Sequence, residues 1–444
     1  MNFGKKLSEL KKSLKLFDGI ALLIGITIGS AIFATPQLIA TYISSFSSII
    51  LLWICVSFLV LIGSLIYAEL GTRFPRTGGE YVYISKAFGP FWGFIFGWAQ
   101  LLIIRTSPAA GISLITANYI GYFVEIDQLQ KNLIAICIII FFGFVNFIGV
   151  DRASMYNKFS SITKIVGIAL FALIGLMVFD ENMSALSLST EPVQSMGHLG
   201  NVVAATILIL FSYLGWDRVG YVAGEMKNPK EVIPKTMFYG ISTVAIIYLA
   251  ANFLYHGVLG HNGVINSQIV ASDTASIIFG SNGAALISLL VIISATGSIN
   301  GTMMSASRLY FAMAKDGLLF RSFKHVHPKY KTPTNAIIAH CIWGIVILIL
   351  RQNFETIVSG MVFVILIFYI ATTLAFFKFR RFNIGEVGYK VPFYPYLPLF
   401  YLIILTSLVG LRIYYQFQLS IQDLSFVLSG VPVYFLFFKH KVNG

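Results

Sequence analysis

Long apolar runs alternate with short polar segments along the whole chain. Residues 47–67 and 133–150 are apolar at most positions rather than at every second one, a pattern that indicates membrane-spanning helices and argues against a barrel. A spanning helix needs about 20 mostly apolar residues. The pattern predicts twelve spans, at residues 17–41, 47–69, 89–122, 132–150, 160–179, 198–222, 237–259, 275–305, 334–350, 356–377, 393–414 and 421–438.

The first and sixth of these spans are interrupted at mid-depth by glycine and small polar residues. Matching interruptions in two halves of a chain are the best sequence pointer to a transporter built from inverted repeats. We therefore predict an all-α polytopic membrane protein of about twelve helices, with discontinuous helices 1 and 6. Residues 1–444 form one transmembrane domain, in which 17–180 and 198–377 are two five-helix repeats and 393–438 hold two accessory helices.

Composition and charge agree with a chain solvated by the lipid bilayer. Hydrophobic residues make up 57% of the chain and charged residues 11%, against about 25% charged residues in soluble domains. The net charge of +13 does not require a nucleic acid partner, because most of the Lys and Arg residues fall on one side of the predicted membrane. With the N-terminus inside, 25 Lys and Arg residues lie in cytoplasmic segments and three in outer ones. This asymmetry predicts an inner (plasma) membrane protein with both termini in the cytoplasm.

The first interruption contains Gly29 and Ser30 and is followed by Pro36, which is typical of the first turn of a restarted helix. A break here exposes the amides of Ser30, Ala31 and Ile32 at the positive end of a helix, where a carboxylate binds well. The carbonyls that end the preceding half, around Thr27 and Ile28, are left to accept from an ammonium group. The alternative is that small residues only allow close helix packing.

The second interruption surrounds Gly215. Phe211 is expected to close over a bound solute, and the carbonyls from Phe211 through Ser212 to Leu214 are candidates for an ammonium group. The alternative is an ordinary packed aromatic cluster. Asp217, just beyond the break, is a candidate coupling group.

Lys164 is a charged residue inside the fifth span, and such a residue is a functional candidate by default. Its ammonium group can occupy the place where a sodium ion would bridge helices 1 and 8 in related transporters, or can reach out to the membrane surface. Arg105 is equally deep in the third span and can pair inside the bundle or line the pathway.

These motifs resemble those of the amino acid–polyamine–organocation permeases, and most closely their L-type amino acid transporter branch, including bacterial alanine-serine-cysteine exchangers. Residues 28–33 resemble the helix-1 motif of that family, and residues 211–217 resemble its helix-6 motif. Further similar segments occur in the expected order, at residues 69–71, 78–81, 103–105, 225–229, 233–234, 297–301, 307–309, 314–317 and 332–333.

The resemblance implies a leucine-transporter-like fold of ten core helices plus two. It also implies an α-carboxylate on the amides around Ser30 and Ala31, an α-amine on carbonyls near Thr27, Phe211 and Leu214, sodium independence through Lys164, and transport by exchange. The chain departs from the family at Ala31, where glycine is usual. The loop at residues 124–132 lacks the cysteine that joins eukaryotic members to a glycoprotein, so no disulfide-linked subunit is expected.

The expected function is sodium-independent exchange of small neutral L-amino acids, such as alanine or serine, because no charge for an acidic or basic substrate side chain is evident in the motifs. Proton-coupled symport and a non-transporting amino acid sensor are the alternatives. An enzyme is disfavoured because the seven histidines are scattered and no metal-ligand spacing occurs. We expect neither catalytic residues nor a metal or other cofactor. A channel is also disfavoured, because no filter motif is evident in the sequence.

Overall fold

A computed structural model describes residues 14–75, 78–177 and 192–439. Ten helices in these residues are long and apolar enough to cross a membrane. The interrupted helix 1 and helix 5 (Val150–Met177) bring the number of spans to the predicted twelve. The multi-pass helical architecture is therefore confirmed. The proposed repeat limits remain a prediction, and residues 178–180 of the first repeat lie outside the described residues.

The helices are numbered in chain order. Helix 1 comprises Leu16–Thr27, a 3₁₀ turn at Ser30–Phe33 and Thr35–Tyr42. Helix 6 comprises Gly197–Tyr213 and a 3₁₀ segment, Trp216–Glu225. The other spans are helix 2 (Phe46–Arg73), helix 3 (Pro90–Ala99, a π turn at Gln100–Ile104 and Thr106–Ile120), helix 4 (Gln128–Ile148), helix 7 (Pro229–Asn266), helix 8 (Val270–Lys315), helix 9 (Thr334–Arg351), helix 10 (Phe354–Arg381), helix 11 (Tyr396–Tyr415) and helix 12 (Phe417–Leu428 and Gly430–Phe437).

Local sequence explains several helix starts. The Ser45 side chain accepts from the amide of Ser48 at the start of helix 2, and Asp127 and Gln130 form a capping box at the start of helix 4. A short helix that was not predicted, Gly79–Phe88, connects helices 2 and 3 and is called the connecting helix below. It ends at Gly89, whose φ of 97° favours glycine.

Helices 7 and 8 are longer than their predicted spans, 237–259 and 275–305, because they continue past the apolar runs. Each contains a kink at a glycine with positive φ, Gly260 in helix 7 and Gly280 in helix 8. Apolar length measures the membrane-embedded part of a helix only, so these ends could not be read from hydropathy.

Two buried clusters of ion pairs join helices of the bundle, one between helices 2 and 10 and the other between helices 9, 11 and 12. Glu69 of helix 2 accepts from Arg73 and from Arg380 of helix 10. Asp423 of helix 12 pairs with Arg351 at 2.5 Å and with Arg412 at 2.7 Å. Each carboxylate thus neutralises charge where several helices meet, which limits the cost of burying these groups.

Candidate functional site

The α-helical hydrogen bonding of the first half of helix 1 ends at Ile28, whose amide still donates to the carbonyl of Ile24 at 2.8 Å. Ile28 is extended (φ −72°, ψ 104°), and Gly29 precedes the 3₁₀ turn. The first amides of a helical turn have no partner within that turn, so the amides of Ser30 and Ala31 are available to a ligand. The α-helix then resumes at Thr35 with Pro36 in its first turn, as predicted.

Helix 6 breaks at Leu214 and Gly215. Gly215 has a φ of 120°, and a Cβ placed on it would lie 2.7 Å from Cγ2 of Ile26 in helix 1. The two breaks are therefore in direct contact, and glycine is required both by the backbone conformation and by this close approach.

Two sets of hydrogen bonds hold the breaks together. The hydroxyl oxygens of Thr35 and Ser212 are 2.9 Å apart. The Tyr248 hydroxyl lies 2.9 Å from the carbonyl oxygen of Thr27 and 2.8 Å from that of Ser212. A phenol has one proton, so it donates fully to only one of these carbonyls at a time. Sequence reasoning missed Tyr248; the available signal was a tyrosine within the apolar run of helix 7, which needs a buried partner for its hydroxyl.

The two breaks border a cavity of about 410 Å³. Its wall includes Leu22 and Gly25 of the first half of helix 1 and Met304 and Ser305 of helix 8, whereas none of the described residues 35–42 contributes to it. The cavity therefore extends from the breaks toward the side on which helix 1 begins. This side is called the cavity side below.

Ten of the twelve site residues predicted from the sequence line this cavity. Those ten are Thr27, Gly29, Ser30, Ala31, Lys164, Phe211, Ser212, Leu214, Gly215 and Asp217. The side chains of Ile28 and Ile32 are instead buried in the hydrophobic core, at 2% and 1% exposure. These two residues can serve a ligand only through their backbone groups.

Phe211 is almost fully buried and packs edge-on against Phe354 of helix 10, with ring centroids 5.6 Å apart. Its carbonyl oxygen accepts from the amide of Leu214 at 3.0 Å. One lone pair of that carbonyl is therefore used by the break itself, which leaves the second for a ligand.

Lys164 is 6% exposed and lines the cavity. Of the two positions considered for its ammonium group, the structure has the interior one, because helix 5 presents this side chain to the bundle. Ser160, one turn earlier, packs against Gly297 of helix 8 and donates to the carbonyl of Ile293 at 2.8 Å. The neighbouring Ser298 hydroxyl lies 3.8 Å from a Cβ placed on Gly29, so helices 1, 5 and 8 meet beside Lys164.

The cavity wall carries more charge than the sequence motifs indicated. Glu80 of the connecting helix accepts from the Tyr67 hydroxyl at 2.6 Å, and Arg105 donates through Nε to Gln100 at 2.9 Å. Both residues line the cavity, as does Arg218. The motifs did not indicate Glu80, because it comes from a segment that lies between the predicted spans 47–69 and 89–122. Arg105 both pairs within the bundle and lines the cavity.

The π turn in helix 3 holds Gln100 and Arg105 at the cavity. The carbonyl of Gln100 accepts from the hydroxyl of Tyr310 at 3.3 Å, and that of Leu102 accepts from the indole of Trp343 at 2.5 Å. The carbonyl of Leu101 accepts from the hydroxyl of Thr106 in the same helix at 3.3 Å. π turns are often found at functional sites. This feature depends on side chains from helices 8 and 9, so the sequence of helix 3 alone did not reveal it.

No group of three or more His, Cys, Asp or Glu side chains suited to a metal occurs among the described residues. Cys55 and Cys137 are exposed on their helices and Cys341 is partly buried, and all three are free thiols.

Known proteins resemble this chain over nearly its whole length. A family model described as "Amino acid permease" matches residues 14–438. The serine/threonine exchanger SteT of Bacillus subtilis is 30% identical over 438 residues, which cover 98% of each chain. The human b(0,+)-type amino acid transporter 1 is 28% identical, over 98% of this chain and 90% of its own. The human large neutral amino acids transporter small subunit 2 is also 28% identical, over 97% and 82%.

Proposed function

The chain belongs to the amino acid permease family, and on that premise we propose that it is a sodium-independent exchanger of small neutral L-amino acids that works by alternating access. The observation that carries this proposal is the contact between the two helix breaks at a single cavity. The first break offers amide donors and the carbonyl of Thr27, and the second offers further carbonyl acceptors, so that together they complement a zwitterion.

In the proposed binding mode, the substrate carboxylate lies on the amides of Ser30, Ala31 and Ile32. The ammonium group lies on carbonyls of Thr27 and of the Phe211–Leu214 turn, and Phe211 closes over the substrate. Tyr248 already contacts the carbonyls of Thr27 and Ser212. Each carbonyl has a second lone pair, so the hydroxyl and the ammonium group can be accommodated together.

A small neutral substrate placed between the breaks would lie beside uncharged side chains, those of Ser298, which approaches Gly29, and of Phe211. Charged side chains, among them Glu80, Arg105 and Asp217, also line the cavity. The printed name of the Bacillus subtilis relative, a serine/threonine exchanger, favours hydroxyl-bearing substrates. We propose that Lys164 provides the positive charge that a sodium ion would otherwise supply between helices 1, 5 and 8.

Exchange in proteoliposomes tests this function directly. Uptake of labelled serine is expected to rise at least about tenfold when the vesicles are preloaded with unlabelled serine, and to be unchanged when choline replaces sodium. A competition panel of the common amino acids would define the substrate range. Equal uptake into empty and preloaded vesicles at every pH would contradict exchange.

Two alternatives remain testable by the same assay. Glu80 and Asp217 line the cavity, which favours proton-coupled symport as the second candidate; uptake into empty vesicles would then require an imposed pH gradient. A sensor on the same fold would bind amino acids without moving them. Binding with no flux under either gradient would support that reading.

The location and assembly of the chain are part of the proposal. We propose an inner-membrane protein with both termini in the cytoplasm, so that the cavity side faces the cytoplasm, and two repeats at 17–180 and 198–377. We also propose that the chain works without a disulfide-linked glycoprotein, because the described loop at residues 124–132 has no cysteine. One relative is named a small subunit, so purification of the chain alone with full exchange activity is the relevant check.

Ala31→Gly is expected to improve transport. The Ala31 methyl group lies on the cavity wall at the proposed carboxylate site, where it crowds a substrate carboxylate and limits backbone motion. Removing it should lower the KM for serine by about threefold to tenfold, equivalent to roughly 1 kcal/mol. Ala34→Gly, a similar change in the residue before the restarted helix, is the control. The idea is wrong if Ala31→Gly transports no better than the parent chain.

A further inference from the structure

Six of the seventeen buried side-chain polar atoms that lack a protein partner among the described residues lie near the end of helix 7. They are Oδ1 of Asn252, the hydroxyl of Tyr255 and both ring nitrogens of His256 and His261. The four side chains are 0%, 0%, 0% and 2% exposed. Native proteins leave few buried polar atoms unpaired, and each one costs about 1–3 kcal/mol unless a ligand satisfies it.

These side chains continue a line that begins at the helix breaks. Tyr248, Asn252 and His256 recur every four residues, so they share one face of helix 7. We call Tyr248, Asn252, Tyr255, His256 and His261 the helix 7 stripe. The Asn252 amide donates to the carbonyl of Tyr248 at 2.8 Å, which fixes its orientation and leaves its own oxygen unpaired.

Helix 2 covers much of the stripe with aromatic side chains. Trp53 packs against Tyr248 and Phe46 against His256, with ring centroids 5.5 Å and 5.0 Å apart. These two contacts show that helices 2 and 7 run antiparallel here. The indole nitrogen of Trp53 is also buried without a protein partner, so the unpaired atoms are distributed along the interface between the two helices.

The chemistry of the unpaired atoms selects the ligand. The rings of His256 and His261 are 5.5 Å apart and only 21° from parallel, so the two ring planes, in which the nitrogen lone pairs lie, do not converge on one metal ion. A neutral imidazole needs both a donor and an acceptor, a tyrosine hydroxyl offers both, and an amide oxygen needs a donor. Water is the small ligand that satisfies all three, and buried water typically makes about three such bonds.

We propose that the helix 7 stripe binds a file of water that connects the helix breaks to the membrane side opposite the cavity, and that this file carries protons. Its outer end is at His261, close to the connection between helices 7 and 8 at Ser267. Its inner end is Tyr248, which contacts both break carbonyls. When a proton binds one ring nitrogen of a neutral histidine, the proton on the other ring nitrogen is released to the next water. The histidine is then neutral again, with its electron count unchanged.

The elements around the stripe supply few other titratable groups. Helix 5 contributes Phe171, 6.1 Å from the ring of Tyr255, and helix 2 contributes Phe46 and Trp53. Helix 3 contributes Tyr119, whose hydroxyl donates to the carbonyl of Phe33 at 3.0 Å.

The nearest carboxylate at the start of helix 8 is that of Asp273, which accepts a hydrogen bond from Ser267. Across helix 1, Glu355 of helix 10 accepts from Tyr42. The histidines are thus the groups of this region suited to relay a proton.

Radiolytic hydroxyl-radical labelling tests for the water itself, because it marks side chains beside bound water. Tyr119 is the matched control, since it is as buried as Tyr255 but its hydroxyl is bonded to protein. We expect Tyr255 to be labelled at least about fivefold faster than Tyr119, and His256→Phe to remove most of that excess. Equal labelling of the two tyrosines would overturn the proposal, and this result does not depend on any transport activity.

The proton route is tested with right-side-out and inside-out vesicles. Lowering the pH from about 8 to about 6 on the side of the helix 7–helix 8 connection is expected to change serine exchange by at least about threefold, and His256→Phe and His256→Gln are both expected to remove this dependence. His198, which is exposed at the start of helix 6 on the same side, provides the control variant His198→Gln. A dependence that survives both His256 variants would exclude this route. Failure of exchange in the parent chain would instead refute the proposed function and leave the labelling result standing.

Discussion

Gly215→Ala is expected to lower exchange by at least about tenfold and by as much as about a hundredfold. The φ of 120° at this position is rarely adopted by residues with a side chain, and a Cβ there would approach Cγ2 of Ile26 at 2.7 Å and its backbone at 3.3 Å. Backbone strain of this kind costs roughly 1–3 kcal/mol, and each 1.4 kcal/mol of lost transition-state stabilisation is about tenfold in rate. The measurement is kcat/KM for serine exchange in proteoliposomes.

Gly317→Ala separates strain from contact with the site. Gly317 also has a positive φ, 79°, but a Cβ there would meet no atom within 4 Å. It follows helix 8, away from the breaks. We expect this variant to lose some thermal stability and to keep at least half of its exchange rate. Equal losses in both variants would show that Gly215 acts through global stability instead of through the contact between the breaks.

The break positions could be predicted because their signals are local. Glycine and serine interrupt apolar runs, and Pro36 marks a helix restart, so the sequence around Gly29 and Gly215 contains the information needed to place the breaks. The same reasoning placed Lys164 correctly inside the bundle as a candidate, since a lysine in a span must either reach the surface or find a polar interior.

What the sequence did not reveal depends on contacts between distant segments. Glu80 reaches the cavity because the connecting helix packs against the bundle, and its partner Tyr67 comes from helix 2. The π turn at Gln100 is stabilised by Tyr310, 210 residues further along the chain. No periodicity within one helix encodes these pairings, so the contributions of Glu80 and of the π turn to the cavity could not be predicted from hydropathy or from motifs, whereas Lys164 and Asp217 were candidates from the sequence.

The two breaks were predicted separately, whereas the structure shows that they share their hydrogen bonds. Thr35 contacts Ser212, and Tyr248 of helix 7 contacts the carbonyls of Thr27 and Ser212. A movement of either half-helix must therefore change the bonding of the other. This coupling gives a physical reason for the two interruptions to act as one site, and it makes Tyr248 a position where the idea can be tested.

Tyr248→Phe is expected to lower kcat/KM for exchange by about tenfold, mainly through a higher KM. The hydroxyl is fully buried and ties the break carbonyls of Thr27 and Ser212. Its removal leaves buried acceptors without this donor, at about 1–3 kcal/mol, and allows the two half-helices to move apart before the substrate binds. A phenylalanine keeps the ring contacts with Trp53 and Tyr213, so the substitution reports on the hydroxyl alone.

Tyr239→Phe is the matched control, because Tyr239 is on the same helix but is 51% exposed; its KM and turnover should remain within about twofold of the parent values. The direction of the change at Tyr248 discriminates between two roles of its hydroxyl. A higher KM shows that it positions the carbonyls for the ammonium group. A lower KM would show that the hydroxyl competes with the ammonium group for those lone pairs, and the substrate would then have to displace Tyr248 in every cycle.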